Sequence, residues 1–210
     1  MNKGQESPGR KDIMTGAEQT SSLATGIQTT YDEVKTAAAA GVLLEKAGGR
    51  MAYLKLMKLL YMADRRAWEE NGKSISGDTY AAMPYGMVLR ETLNHIRGKV
   101  QGREAGLSET VEIQGYDAVL AHAPDRDELA EAELQILDQV FIEFAAIEKW
   151  ALVEQLHQQL PEWKDPKGSS FIVRPEELLE LLGKSAEEIA EISHLNRGDQ
   201  LLTAACGRQR

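Results

Sequence analysis

Between Met51 and Glu70 the chain reads MAYLKLMKLLYMADRRAWEE, twenty residues without a glycine or proline. Set at about 100° per residue, Ala52, Tyr53, Leu56, Met57, Leu59, Leu60, Ala63 and Ala67 share one broad face. Lys55, Lys58, Met62, Arg65 and Arg66 fill the opposite arc. Such a helix must bury its apolar face against other elements, so the rest of the chain is expected to fold round it. Leu56, Leu59, Leu60 and Ala63 are expected inside, and Lys55 and Lys58 in solvent. Asp64 falls on the apolar side, close to Leu60 and Met57. A buried carboxylate is costly unless donors or charged partners surround it. Asp64 is therefore read as a hydrogen-bonding post that pins the Asp78–Tyr85 loop to this helix. Its alternative role, a general base, lacks a second carboxylate or histidine at a fixed spacing.

The flanking sequence builds a mainly helical chain. Tyr31 to Ala47 predicts a helix with Asp32 and Glu33 in its first turn, where carboxylates suit the positive end of the dipole, and Gly48-Gly49 stops it. Asn71-Gly72 ends the central helix. Tyr80 to Met83 reads as a short extended piece before Pro84. Val88 to Ile96 returns to helix. Thr110 to Ile113 and Ala118 to His122 frame Gln114-Gly115-Tyr116-Asp117 and predict a hairpin. Asp127 to Glu148 reads as a long helix, with Leu134, Leu137, Phe141 and Phe144 at spacings of three and four. Trp150 to Gln159 follows as a shorter one. Phe171-Ile172-Val173 is an apolar run expected to dock on the core. Pro175 opens a helix ending at Gly183, and Ser185 with Glu188 forms a capping-box pattern for the last one. The fold class is a compact helical domain with one small β-hairpin and flexible termini. Residues 1–30 read as a flexible tail, 31–194 as the domain and 195–210 as a second flexible tail.

Composition excludes several classes. Charged residues make up 27% and hydrophobic residues 42%, which suits a globular chain rather than a disordered or fibrous one. Cys206 is the single cysteine, so no internal disulfide is possible, and a reducing, cytoplasmic compartment is expected. No apolar run approaches the roughly 20 residues of a membrane crossing, and Met1 to Met14 carries no hydrophobic signal segment. The net charge of −9 is unevenly spread. Residues 31–103 hold 12 basic and 8 acidic groups, and residues 104–210 hold 9 and 22. The acidic balance speaks against nucleic acid as a partner.

The motifs of catalysis are missing. His95, His122, His157 and His194 form no His-Glu-x-x-His pair and no zinc spacing with Cys206. Ser169-Ser170 is no nucleophile elbow, and Gly183-Lys184-Ser185 lacks the upstream glycine of a phosphate loop. No enzyme activity, cofactor or metal is expected. His157 reads as a packing residue near Trp163. Gly86, in Tyr85-Gly86-Met87-Val88, needs a positive dihedral at a strand-to-helix turn. Lys55, Lys58, Arg65 and Arg66 form an exposed stripe, either a solvated face or a docking surface for an acidic patch.

From Tyr31 onward the chain resembles the Panacea domain, the SocA-like family of antitoxins. The resemblance rests on Lys55-Leu56-Met57-Lys58-Leu59-Leu60-Tyr61-Met62-Ala63-Asp64 and on Ser76-Gly77-Asp78, followed by Tyr85-Gly86-Met87-Val88. Leu152-Val153-Glu154-Gln155-Leu156-His157 with Trp163 is similar to a later family segment. Met87 stands where the family usually has proline, and Leu156 where threonine precedes the histidine. The resemblance implies an antitoxin of a toxin–antitoxin system, encoded beside a small toxin and binding it directly. A second implied possibility is an adaptor that hands its toxin to a cytoplasmic protease, or a phage-linked interaction protein. The basic stripe is then the expected contact for a toxin with an acidic face, the acidic half, for example Glu128, Glu131 and Glu133, the contact for a basic one, and Leu56, Leu59, Leu60, Tyr61, Asp64, Asp78, Tyr85, Gly86, Val88, His157 and Trp163 the structural motif.

Overall fold

A computed structural model describes residues 26–99 and 106–206. Helix α1 (Glu33–Lys46) is capped by Asp32, whose carboxylate accepts the Lys35 N–H at 3.0 Å. Strand β1 (Arg50–Ala52) leads straight into α2 (Tyr53–Asn71), and Gly72 at φ 64° closes that helix on the Trp68 carbonyl. Next come β2 (Tyr80–Met83), β3 (Gly86–Leu89), α3 (Arg90–Ile96), the single turn α4 (Leu107–Thr110), β4 (Val111–Gln114) and β5 (Asp117–Leu120). A 3₁₀ turn at Arg126–Glu128 precedes α5 (Glu131–Phe144) and α6 (Lys149–Gln159). The described chain closes with β6 (Phe171–Val173), α7 (Pro175–Leu181) and α8 (Ala186–Cys206).

Helix α2 is the central post. Leu56, Leu59, Leu60 and Ala63 are buried in one apolar core shared with α1, α5, α6 and α7. The mainly helical reading holds, with more sheet than the single hairpin expected. Two three-stranded antiparallel sheets form, in the orders β1-β5-β4 and β3-β2-β6. The expected hairpin is β4–β5, with Gln114 opposite Asp117. Met51 and Ala52 leave the expected helix to pair with Ala118 and Asp117. Val88 and Leu89 likewise leave theirs, because Ala81 and Tyr80 pair with them across the two-residue Pro84-Tyr85 turn. Of the run Phe171–Val173, only Val173 is buried, while Phe171 and Ile172 stay partly exposed on an edge strand. The long helix expected from Asp127 to Glu148 is shorter, starting at Glu131 and ending at Phe144.

The two termini also differ from the reading. Residues 1–25 lie outside the described residues. Gly26 to Thr30 form a strap rather than loose chain: the Ile27 N–H donates to Glu176, and Gly77, at φ 64°, leaves no room for a side chain beside the Thr30 carbonyl. Helix α8 runs through Cys206 instead of ending near His194. Its start is the expected capping box, with Ser185 N–H donating to Glu188 at 2.7 Å and Glu188 N–H to Ser185 Oγ at 3.2 Å. It is held on the domain by Asn196 Nδ2, which donates to the Gly72 carbonyl at 2.9 Å.

Asp64 is the buried post its position on the helix demands, but the segment it pins is Ile75–Ser76, ahead of the expected Asp78–Tyr85 stretch, from which only the Tyr80 hydroxyl reaches it. It is buried, and accepts the N–H groups of Ile75 and Ser76, both at 3.0 Å, with the Ser76 hydroxyl and the Tyr80 hydroxyl on its second oxygen. Trp68 Nε1 donates to Tyr80 at 2.7 Å. Burial pushes the Asp64 carboxyl up to about 7 against the pull of these donors. Farther along the same loop, Asp78 accepts Glu91 N–H and Thr92 N–H at 2.8 Å and Thr92 Oγ1 at 2.7 Å. Helix α3 has no capping side chain at its own boundary, so Asp78 serves in its place. Asp64→Ala strands the loop N–H groups and should lower stability by about 3 kcal/mol in urea unfolding. A loss under about 1 kcal/mol would show that the loop is held by other contacts.

Candidate interaction site

The four cations of the expected stripe do not make an open face. Lys58 is fully buried, and its Nζ donates to the Met87 carbonyl at 2.8 Å. The reading that left Lys58 in solvent is corrected by the β2–β3 hairpin, which covers that side of α2. Lys55 is half-buried and donates to the carbonyls of Ala145 and Ile147, at the end of α5. Arg65 Nε reaches Glu162 Oε1 at 2.8 Å, and Arg66 reaches Glu143 at 2.6 Å. Tyr61, also buried, donates its hydroxyl to the same Glu162 oxygen at 2.8 Å. These cations tie α2 to β3, to α5 and its C-terminal end, and to the segment after α6.

The remaining motif residues converge on the Met83–Gly86 turn. Gly86 has φ 96°, and a Cβ there would stand 2.9 Å from Lys58 Nζ and 3.4 Å from His157 Nε2. Any other residue would be strained at that dihedral and would press on the Lys58 amine. His157 lies flat on Trp163, with ring centroids 3.6 Å apart and planes within 5°. Trp163 Nε1 donates to the Met83 carbonyl at 2.9 Å. The turn is thus held through Met83 by Trp163 and through Met87 by Lys58. Val88 follows in the buried strand β3.

Burial lowers the Lys58 ammonium to about 7, because its desolvated charge has few acceptors. Burial, then the nearby Lys58, also lowers His157, with Glu154 and Asp165 pulling the other way. The buried His157 Nε2 has no hydrogen-bond partner among the described residues.

What this scaffold presents is a pair of exposed aromatic rings. Tyr85, at the tip of the turn, is 58% exposed, and Trp150, on the first turn of α6, is 51% exposed. They meet edge to face at 5.5 Å, and Lys149 lies over the indole at 5.8 Å. Tyr and Trp on a rigid support are the side chains that carry most energy at protein interfaces. Sequence reasoning placed Tyr85 in a motif but missed Trp150. An aromatic at a helix start is not distinctive in sequence, and only the fold brings it against Tyr85. Among the described residues, no three His, Cys, Asp or Glu are grouped to hold a metal ion, and no helix is long and apolar enough to cross a membrane.

A family model, antitoxin SocA-like, Panacea domain, matches residues 56–164, just over half of the chain. That span runs from α2 through Trp163 and contains the whole turn and both exposed rings. No curated protein and no solved structure matches the chain.

The buried amine gives a test by pH. Lys58 holds its proton less tightly when folded than a free lysine at about 10.4. The unfolded chain therefore binds more protons between about pH 7 and 10.4. Lys58's contribution to stability is complete above that window and is lost as pH falls through about 7. Lys58→Met removes this titration. The stability of wild type relative to the variant should rise from pH 7 to pH 10 in urea unfolding, and a difference independent of pH would contradict a buried Lys58. Gly86→Ala should independently cost about 1–3 kcal/mol, read as a lowered urea midpoint.

Proposed function

The chain belongs to the family of SocA-like antitoxins with the Panacea domain, and from that premise we propose that it neutralises a cognate protein toxin by direct binding. The supporting observation is the exposed Tyr85–Trp150 pair, with Tyr85 on a turn that Lys58 and Trp163 tie at its two ends and Trp150 on the adjoining α6. Two large rings left in solvent on a preorganised support lose little side-chain entropy on binding and bury much apolar area. A specific complex centred there would bury at least about 1,200 Å² in total. In this reading the toxin is silenced by being covered, and the basic residues of α2 act as internal ties rather than as the contact.

Co-expression tests the reading. The small gene product encoded beside this chain should arrest growth when expressed alone, and expression of the chain should restore it. The two proteins should also co-purify as a complex with the toxin at an undiminished level. Growth arrest that persists would overturn the proposal. Rescue accompanied by disappearance of the toxin would replace covering with delivery to a protease.

A further inference from the structure

The chemistry of the partner can be read from the charges round the aromatic pair. Between Asp127 and Lys167 stand ten carboxylates and three lysines. Four of the carboxylates are matched inside the molecule: Glu133 by Lys35, Asp138 by Lys46, Glu143 by Arg66 and Glu162 by Arg65. Glu148 and Glu154 are not. Both are exposed, two residues before and four residues after Trp150, and neither has a cation within salt-bridge distance among the described residues. Glu148 spends one oxygen on the N–H groups of Trp150 and Ala151, and Glu154, among the described residues, accepts from the Gln158 amide alone. The faces of the two rings add partial negative charge of their own. Lys149 already lies over the indole, so the ring is placed to take a cation.

Resting on the antitoxin reading, we propose that the toxin surface seated on Tyr85 and Trp150 is basic and brings an arginine or lysine to the rings, beside Glu148 and Glu154. An acidic surface would meet two carboxylates and two ring faces, all repulsive, with Lys149 and the half-buried Lys55, which lies near Glu148, in its favour. A basic surface gains from the carboxylates and the ring faces, and competes with Lys149 at the indole and with Lys55 for Glu148. The sign of each charge variant therefore distinguishes the two.

The experiment measures association of the full-length chain with the purified product of the adjacent gene, by surface plasmon resonance at low and high salt. Trp150→Ala should raise Kd at least about 30-fold. The double variant Glu148→Gln, Glu154→Lys should slow association about tenfold at low salt, with the difference shrinking at high salt. Glutamine at 148 keeps an oxygen for the helix cap. Lys149→Ala should speed association. Binding that tolerates the double variant, or is accelerated by it, overturns the basic partner while leaving the antitoxin reading intact. Absence of binding by the wild-type chain overturns both.

Discussion

The loop between α2 and β2 owes its shape to one buried carboxylate, and much of the chain starts from that loop. Asp64 takes the N–H groups of Ile75 and Ser76 and the Ser76 hydroxyl, donors that would otherwise be stranded in the core. With the loop fixed, the Ser76 carbonyl accepts the Asp32 N–H at 2.8 Å and so sets the start of α1. Two residues on, Asp78 takes the first free N–H groups of α3, and the Thr79 carbonyl takes that of Arg90. Two helix starts distant in sequence thus depend on the loop that Asp64 holds. An apolar residue at 64 would suit the helix face better and would leave nothing to organise them.

The split of charge along the chain has a structural use. The basic first half and the acidic second half meet across the seam between α1–α2 and the elements that follow. Lys35, Lys46, Arg50, Arg65, Arg66 and Lys73 all find carboxylates from the second half. Exposed pairs such as Arg50–Asp117 and Lys73–Asp199 contribute little to stability. The pair at Glu162 is different, since that carboxylate is buried and shared by Arg65 and Tyr61. Breaking it would leave a charge in the core. The seam pairs two of the four cations of α2, Arg65 and Arg66, with carboxylates, and leaves a carboxylate surplus on the surface. The asymmetry is thus first a means of aligning halves, and only its remainder faces a partner.

Much of this was legible in sequence wherever the signal was local. The period of α2, the Asp32 start of α1, the β4–β5 turn, Pro175 and the Ser185–Glu188 box all specify their own neighbourhood. Asp64 was legible because a carboxylate on an apolar face admits few explanations. The misreadings lie where a distant segment decides. Strand β1 exists because β5, more than sixty residues later, pairs with it. The β2–β3 hairpin did leave a trace, since two apolar runs flank the two residues Pro84-Tyr85. The helix-like run into Ile96 masked it. Lys58 was placed in solvent because a lysine on a helix arc opposite leucines is usually solvated. Nothing in the periodicity reveals that Leu56 to Asp64 is buried on every side.

That buried lysine explains why the aromatic pair can stand exposed. Strand β3 is an edge strand, and edge carbonyls need donors from outside the sheet. Lys58 provides one at Met87 from the helix beneath, and its long apolar stem fills the space between. Burying an ammonium there is costly, and the depressed affinity for its proton is the expression of that cost. At φ 96° and with Nζ 2.9 Å from where a Cβ would stand, residue 86 is strained as anything but glycine, and Tyr85 sits at the tip of that turn. His157 closes the other side of Gly86 from α6, the helix that also carries Trp150 in its first turn. The amine beneath β3 and the imidazole on α6 thus flank the turn from which Tyr85 meets Trp150 edge to face. A substitution at Lys58 that kept the fold would be felt first in how these two rings face a partner.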